Sequence, residues 1–335
     1  MNNPRKILII RPDRLGDLIL SLPVAEALKK HISEIEVHYL VSQYTSGVSS
    51  LVDYVDGWLI DENNDGGRLS VVGLKNKIKS GGYDCLIELK PSWRTASAGY
   101  LADVSTRIGT SRRAYSIFYN KRINVSRKSS GYHQSDLELT HLRPLGIDIF
   151  GLNPRLEADE TGKSKAAELL AINRKRYIVI HPGSGGSSPN WPLENYINLA
   201  VQINRQTGQK VVVTNHDNNI GGFENCLNIG GKTDIKILAG VLTGASIFIS
   251  GSTGPLHLAD ALGTTCVSFF SNREDVGAVR WGPRRNMENV IMPGEICRCG
   301  KTEHCRCLER VGVEEAFNKV RAVLNSGKGI TVGDE

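Results

Sequence analysis

The sequence lacks the features that mark several large classes of protein. No apolar run approaches the roughly 18 residues of a membrane-spanning helix. The formal net charge is +6, but there is no dense run of Lys and Arg and no RNA-binding signature. This argues for an acidic substrate and against a nucleic acid. Residues 1–6 lead directly into a strand, so we expect no signal peptide and a cytoplasmic location, with peripheral contact at the inner membrane left open.

Several catalytic fingerprints are missing as well. No Gly-x-Gly-x-x-Gly follows the first predicted strand, which argues against a dehydrogenase. There is no P-loop and no His-Glu-x-x-His, and no strand leads into a Gly-x-Ser-x-Gly hydrolase elbow. The catalytic residues of this chain therefore belong to none of these standard motifs.

Cysteine is present but does not form an evident disulfide framework. The chain has 7 cysteines, and the spread of Cys85, Cys226 and Cys266 over strand or core positions favours a reducing compartment. The other four form a cluster, Cys297, Cys299, Cys305 and Cys307, with His304 beside them. The cluster could hold a structural zinc or iron ion, but its Cys-x-Cys spacing is tighter than the usual Cys-x-x-Cys. A local disulfide pair and free surface thiols are the alternatives.

The stretch from residue 7 to residue 23 organises the rest of the chain. Ile7–Ile10 predicts a buried parallel strand, and a loop with Pro12 and Gly16 leads into an apolar-periodic helix that runs to about Lys30. Asp17 lies at the start of that helix, at the carboxyl end of the strand, where open α/β sheets place ligands. It is either a catalytic carboxylate or an N-terminal cap of the helix.

Strands and helices alternate through both halves of the chain. Further strands are predicted at 36–41, 83–89, 177–181, 209–214, 246–250 and 265–270. The pattern weakens over residues 142–175, which indicates a connection between domains. We therefore expect an α/β protein with Rossmann-like domains at 1–155 and 172–312, a closing helix and tail at 313–335, and a central cleft between the domains.

Basic residues are concentrated in the first half. Arg94 follows a strand, and the segment 107–128 carries Arg107, Arg112, Arg113, Lys121, Arg122, Arg127 and Lys128. A solvated basic face is one interpretation. Convergence on an anionic ligand is the other, because Arg binds carboxylate and phosphate through two parallel hydrogen bonds.

Two loops in the second half suit a phosphate. The Gly- and Ser-rich residues 182–188 follow a strand, and backbone N–H groups of such a loop can bind phosphate, although a simple turn is equally compatible. Thr253 and Gly254 precede a helix that begins near Pro255, where the positive end of the helix dipole favours a diphosphate. His257 lies in the first turn and is either a ligand or a hydrogen-bonded structural histidine.

These segments together resemble glycosyltransferase family 9, the bacterial ADP-heptose–lipopolysaccharide heptosyltransferases. The resemblance rests on residues 7–23 with Gly16-Asp17, on residues 181–192 with Trp191-Pro192, and on residues 252–257. Residues 116–120 and 305–308 are weaker matches. The resemblance implies a GT-B fold with an N-terminal acceptor domain and a C-terminal nucleotide-sugar domain. It also implies inverting transfer without a metal or other required cofactor, from an ADP-sugar donor to an anionic glycolipid.

The resemblance also implies roles for individual residues. Asp17 would be the general base. The donor would be bound by residues of the second domain: Ser184, Gly185, Lys232, Thr233, Ser252, Thr253, Gly254, Pro255 and His257. The anionic acceptor would be bound by residues of the first domain: Asp13, Arg14, Arg94, Arg112, Arg113 and Lys121.

The chain departs from the family pattern at two positions of the donor site. Ser188-Pro189-Asn190 stands where family members often carry a Lys before Trp-Pro, and Ser252 stands where an Asp is common. These departures keep other interpretations open: a different sugar nucleotide, a protein or secondary-glycan acceptor, a non-catalytic nucleotide-binding protein, or a GT-B-type epimerase or hydrolase.

Overall fold

The structure is a computed structural model that describes residues 4–62, 65–125, 131–171, 177–186, 188–216, 220–295, 297–299 and 305–326. The chain divides into two compact units, Met1–Arg155 and Leu156–Glu335. Arg127, Lys128, Ser187, His304 and the tail after Ser326, which entered the sequence predictions, lie outside the described residues. In the part of the chain that is described, no helix has both the length and the apolarity needed to cross a membrane.

The first unit is built on a six-stranded parallel sheet in the order β3-β2-β1-β4-β5-β6. Its strands are β1 Lys6–Ile10, β2 Glu36–Val41, β3 Gly57–Ile60, β4 Cys85–Glu88, β5 Thr106–Thr110 and β6 Lys121–Ile123. Its helices are α1 Leu15–Ser21, α2 Pro23–His31, α3 Val71–Ser80, α4 Trp93–Leu101 and α5 Gln134–Leu139. Short 3-10 helices lie at Gln43–Leu51, Ala114–Phe118 and Thr140–Leu145.

The second unit repeats this arrangement. Its strands are β7 Tyr177–His181, β8 Lys210–Val213, β9 Leu227–Asn228, β10 Ile247–Gly251, β11 Cys266–Phe269 and β12 Val290–Ile291. They form a parallel sheet in the order β12-β11-β10-β7-β8-β9. The helices are α6 Glu160–Leu170, α7 Leu193–Thr207, α8 Ile235–Thr243, α9 Gly254–Ala261, α10 Ala278–Trp281 and α11 Val313–Asn325.

Both sheets have the strand order of a Rossmann fold, and this order determines where a ligand can bind. In each sheet the first three strands are added in one direction, and the next three are added on the other side of the first strand. The reversal lies between β1 and β4 in the first unit and between β7 and β10 in the second. A crevice forms at the carboxyl ends of such neighbouring strands, because the loops that follow them diverge to opposite faces.

The cores explain why these residues form strands. Ile7–Ile10 are completely buried, as expected for a central parallel strand that is covered by helices on both faces. In the second unit Trp191 is fully buried and stacks on Phe269 with ring centroids 4.1 Å apart. The Trp191 indole N–H donates to the backbone oxygen of Val311, so the segment before α7 is fastened to the segment before α11.

The predicted helix from residue 15 to about residue 30 needs a correction. It consists of two helices, α1 and α2, which meet at Leu22. Pro23 causes the division, because proline has no N–H to donate to the helical ladder, although Leu22 itself keeps helical dihedrals. The amide of Leu22 accordingly bonds to the Ile19 oxygen, three residues back, instead of continuing the regular ladder.

Candidate active site

In the first unit the candidate catalytic carboxylate follows β1. Asp17 is the third residue of α1, and its side chain is 23% exposed. The N-cap position is taken by Arg14, whose side chain makes no capping hydrogen bond. The interpretation of Asp17 as the helix cap is therefore wrong, although its charge in the first turn still complements the helix dipole.

A buried arginine holds Asp17 in place. Arg11 is only 1% exposed, and its Nη2 donates to Asp17 Oδ1 over 2.8 Å while Nη1 donates to the Leu89 oxygen over 2.8 Å. In the part of the chain that the structure describes, Asp17 Oδ2 accepts no hydrogen bond. One carboxylate oxygen is thus fixed by a cation, and the other can accept a proton.

Three carboxylates surround this single guanidinium. Glu138, in α5, lies 3.2 Å from Arg11 Nη2 and is itself buried. Asp13 lies 3.1 Å from Arg11 Nε without hydrogen-bond geometry, and its other oxygen lies 3.6 Å from Lys90 Nζ. Burial would lower the pKa of Arg11, but Glu138, Asp13 and Asp17 together raise it. Burial raises the pKa of Asp13, against the opposing effect of Arg11.

Arg94, a predicted acceptor ligand, is already engaged by a carboxylate. Its Nη1 and Nη2 donate to the two carboxylate oxygens of Asp61 over 2.8 and 2.5 Å, and Nη1 also donates to the Leu69 oxygen. Such a bidentate pair is among the strongest charge-assisted contacts in proteins. The pair ties α4 to the residue that follows β3, so Arg94 has a structural partner, and its contact with an acceptor stays a prediction.

The remaining predicted acceptor residues lie near the surface of the first unit. Arg14, Arg112 and Arg113 are exposed, and Lys121 is half-buried at the start of β6. Arg112 Nη1 reaches Asn124 Oδ1 at 3.4 Å, a weak contact. Their exposure is compatible with both interpretations of the basic segment.

In the second unit most of the predicted donor residues lie at the carboxyl ends of β7 and β10. Ser188 is buried, and its hydroxyl donates to the Ser252 oxygen over 2.8 Å, which joins the loop after β7 to the loop after β10. Asn190 Nδ2 donates to the Pro182 oxygen and closes the first loop on itself. Gly183 lies close to the Asn215 side chain, because a Cβ there would lie 2.3 Å from Asn215 Oδ1 and would displace that side chain. Ser184 and Gly185 lie between these anchors.

The predicted diphosphate-binding helix is α9. Thr253 is its N-cap and accepts from the amide of Leu256, while Gly254 and Pro255 are its first two residues. The other amides of the first turn therefore define the positive end of the helix. His257 follows in the same turn and is 5% exposed. Lys232 and Thr233 follow β9 and precede α8, and the Lys232 side chain is exposed.

Helix α9 is held from its far end by a buried carboxylate. Asp260 accepts from the amides of Arg284 and Arg285 and from Asn286 Nδ2, at distances between 2.8 and 3.1 Å. Burial raises the pKa of Asp260, and these hydrogen bonds oppose that effect. The amides at the start of α9 are therefore presented by an anchored element.

Sequence reasoning missed residues whose partners are distant along the chain. The sequence pattern marks Arg11 only as part of a loop, and it gives no signal for Glu138, 127 positions later. His181 ends β7 and shares a hydrogen bond with Thr214 Oγ1 over 3.0 Å. Burial, with a smaller effect of the nearby His216, lowers the pKa of His181 to about 4. A charged residue directly after a buried strand was the one available signal for Arg11.

Comparison with known proteins agrees with this architecture. The chain is 22% identical over 302 residues to the lipopolysaccharide core heptosyltransferase OpsX of Haemophilus influenzae, covering 86% of this chain and 84% of that one. It is 25% identical over 301 residues to lipopolysaccharide heptosyltransferase 3 of Escherichia coli, covering 82% and 84%. The structure of ADP-heptose LPS heptosyltransferase II of Escherichia coli superimposes with a TM-score of 0.79 at 18% identity, covering 96% and 99%.

The structural match confirms the predicted GT-B fold. The family model for glycosyltransferase family 9 (heptosyltransferase) matches residues 71–309, which is most of the chain. On this evidence the chain belongs to glycosyltransferase family 9.

Proposed function

We propose that this glycosyltransferase moves heptose from ADP-heptose to the inner core of lipopolysaccharide, with inversion at the anomeric carbon. The family description and the names of two relatives support heptose as the sugar and lipopolysaccharide as the acceptor. The observation that carries the mechanism is the partly exposed Asp17, whose Oδ1 is fixed by Arg11. Contact of the protein with an inner-membrane surface would follow from a glycolipid acceptor.

Inverting transfer needs a base at the acceptor hydroxyl and stabilisation of the departing diphosphate. Oδ2 of Asp17 takes the proton of the acceptor oxygen as that oxygen attacks the anomeric carbon. The carbon–oxygen bond to the diphosphate breaks in the same displacement, and the electron pair leaves with ADP. Arg11 keeps the carboxylate oriented, since its guanidinium is fixed at Leu89 and near Glu138.

The donor diphosphate is assigned to the first turn of α9 and the loop after β7. Backbone amides and the helix dipole stabilise the charge that develops on the leaving group. The bond from Ser188 to Ser252 supports this assignment because it places the two loops side by side. We assign no metal to the leaving group, because the amides and the dipole at the start of α9 provide the positive charge.

The two departures from the family pattern make a different donor or acceptor the second candidate. Ser188 and Asn190 donate hydrogen bonds to backbone oxygens of the protein itself, and the oxygen that accepts from Ser188 is that of Ser252. A cation and an acid that family members use at these positions are therefore replaced by neutral groups. A family-9 enzyme for another sugar nucleotide, or for a protein or secondary-glycan acceptor, would share every other feature.

Transfer assays with a panel of ADP- and UDP-sugars test the proposal. We expect ADP-heptose to support transfer to purified inner-core acceptor, with the opposite anomeric configuration in the product by NMR. Transfer only from another sugar nucleotide would establish the second candidate. Nucleotide binding without transfer from any donor would contradict both and indicate a non-catalytic protein. Conversion of the sugar nucleotide without an acceptor would indicate an epimerase or a hydrolase.

A further inference from the structure

Four cysteine thiols outside the proposed active site converge in one loop of the second unit. The loop lies between β12 and α11 and carries Cys297, Cys299, Cys305 and Cys307. Sγ of Cys305 lies 3.3 Å from Sγ of Cys297 and 3.2 Å from Sγ of Cys307. The sulfurs of Cys297, Cys299 and Cys305 all lie within 4.8 Å of one another.

These distances fit a shared metal ion better than they fit disulfides. A tetrahedral ion with metal–sulfur bonds of about 2.3 Å separates its sulfur ligands by about 3.8 Å. The two separations at Cys305 are a few tenths of an ångström shorter than that value, and the sulfurs of Cys297, Cys299 and Cys305 all lie within 4.8 Å of one another, so a small adjustment would admit an ion. A disulfide brings two sulfurs to about 2.05 Å and uses each sulfur once. Cys305 instead has two thiol neighbours at nearly equal distances, and all seven cysteines are free.

The donor set determines which metal can bind. Thiolates select zinc and iron over Mg²⁺ and Ca²⁺, which prefer oxygen ligands. Cys307 is buried and the other three thiols are half-buried, so the cluster lies at the edge of the core and not on an open surface. Four thiolates around a divalent ion carry a net charge of −2, and Arg273 lies beside them, donating to the Cys299 oxygen over 3.0 Å.

The surroundings of the cluster indicate what an ion would do there. Cys307 and Leu308 pack in the core with Phe317 of α11. Ser271 and Arg273 follow β11, and the Ser271 hydroxyl lies 3.9 Å from Cys305 Sγ. The cluster therefore touches the carboxyl edge of the second sheet, the same edge at which β10 ends beside β11. An ion would fasten the loop between β12 and α11 to that edge.

We propose that Cys297, Cys299, Cys305 and Cys307 bind one zinc or iron ion as a tetrathiolate site with a structural role. The ion has no part in the transfer step. It replaces the free thiols by four bonds to one centre and fixes the segment that connects β12 to α11. The proposal concerns metal content and stability, so it stands or falls independently of the donor and acceptor proposed above.

Elemental analysis of the full-length protein, purified without chelators or an affinity tag, tests the site. We expect about one zinc or iron ion per chain, and visible absorption from thiolate-to-metal charge transfer if the ion is ferric iron. Cys305→Ser should lose the ion and lower the melting temperature. Cys226→Ser is the matched control, because Cys226 is half-buried against the same core but lies outside the cluster. It should keep the full metal content.

A second measurement covers the case in which Cys305→Ser does not fold. Wild-type protein stripped of its ion and reloaded with Co²⁺ should show the intense charge-transfer bands of cobalt bound to thiolates. Folded wild-type protein that contains no metal, binds no Co²⁺ and has four titratable thiols in this loop would overturn the proposal in favour of free cysteines. A mass lowered by two hydrogens for each bridge, with the bridged peptides identified, would overturn it in favour of disulfides.

Discussion

Replacement of Arg11 by Lys tests whether the buried guanidinium holds the candidate catalytic loop together. Arg11→Lys keeps the positive charge but replaces the planar guanidinium, which donates in several directions, by a single ammonium. That ammonium cannot reach the Leu89 oxygen, Asp17 and Glu138 at once. We expect it to lose the neutral bond to Leu89 and one charged contact. At about 1 kcal/mol for the first and 1.5–3 kcal/mol for the second, the first unit loses roughly 2.5–4 kcal/mol.

Hydrogen-exchange mass spectrometry of the amides of β1 and β4 measures this loss. Because each 1.4 kcal/mol is about a tenfold change, protection should fall by roughly 60- to 700-fold. Arg5→Lys, an exposed arginine directly before β1, is the matched control and should change neither protection nor activity. In Arg11→Lys we further expect kcat to fall while the KM for the donor stays unchanged, because Asp17 loses its fixed partner. Unaltered protection in Arg11→Lys would refute the assignment of Arg11 as the anchor of this loop.

Three further predictions concern other parts of the two units. Burial raises the pKa of Glu88 to about 8, above the unfolded value, so its stabilising contribution is present at low pH and lost as pH rises through 8. Relative to Glu88→Gln, the free energy of unfolding of the wild type should therefore fall by roughly 4–5 kcal/mol between pH 4 and pH 9, because each pH unit between the unfolded and folded pKa values of Glu88 contributes about 1.4 kcal/mol. Urea unfolding of both proteins measures this difference, and a difference that stays constant across that pH range would contradict the prediction. Gly183→Ala should weaken ADP binding in calorimetry without unfolding the protein, since the added Cβ would collide with the Asn215 side chain beside the loop that follows β7. ADP binding at the wild-type affinity would contradict the placement of the donor at this loop. Asp61→Asn should lower the melting temperature by leaving Arg94 half-paired, whereas a raised acceptor KM with unchanged stability would mean that the pair serves binding alone.

Where local patterns are clear, the sequence predicted the strands of the framework, namely β1, β2, β4, β7, β8, β10 and β11; it did not predict β3, β5, β6, β9 and β12. Apolar runs bounded by polar loops located β2 at its observed limits and β7 over residues 177–181. Pro255 marked the start of α9 to within one residue. These signals depend on burial and backbone preference, which are properties of neighbouring residues.

The contacts of the candidate site could not be predicted in the same way. The pairing of Arg11 with Glu138 and of Arg94 with Asp61 joins residues 127 and 33 positions apart. The local pattern marks Arg11 as a charged residue directly after a buried strand, but it does not identify the distant partner of that arginine. The local pattern places Asp17 correctly as a first-turn carboxylate, but its relation to Arg11 emerges only from the folded chain.

The most direct test of the central claim is the transfer rate of Asp17→Asn with ADP-heptose and inner-core acceptor under single-turnover conditions. Asn keeps the shape of Asp but cannot take a proton, so we expect transfer to slow by roughly 100- to 10,000-fold. ADP affinity should stay at the wild-type value. Asp103→Asn, at an exposed position with positive φ that Asn also tolerates, is the matched control and should transfer at the wild-type rate. Transfer by Asp17→Asn at the wild-type rate would contradict the assignment of Asp17 as the general base.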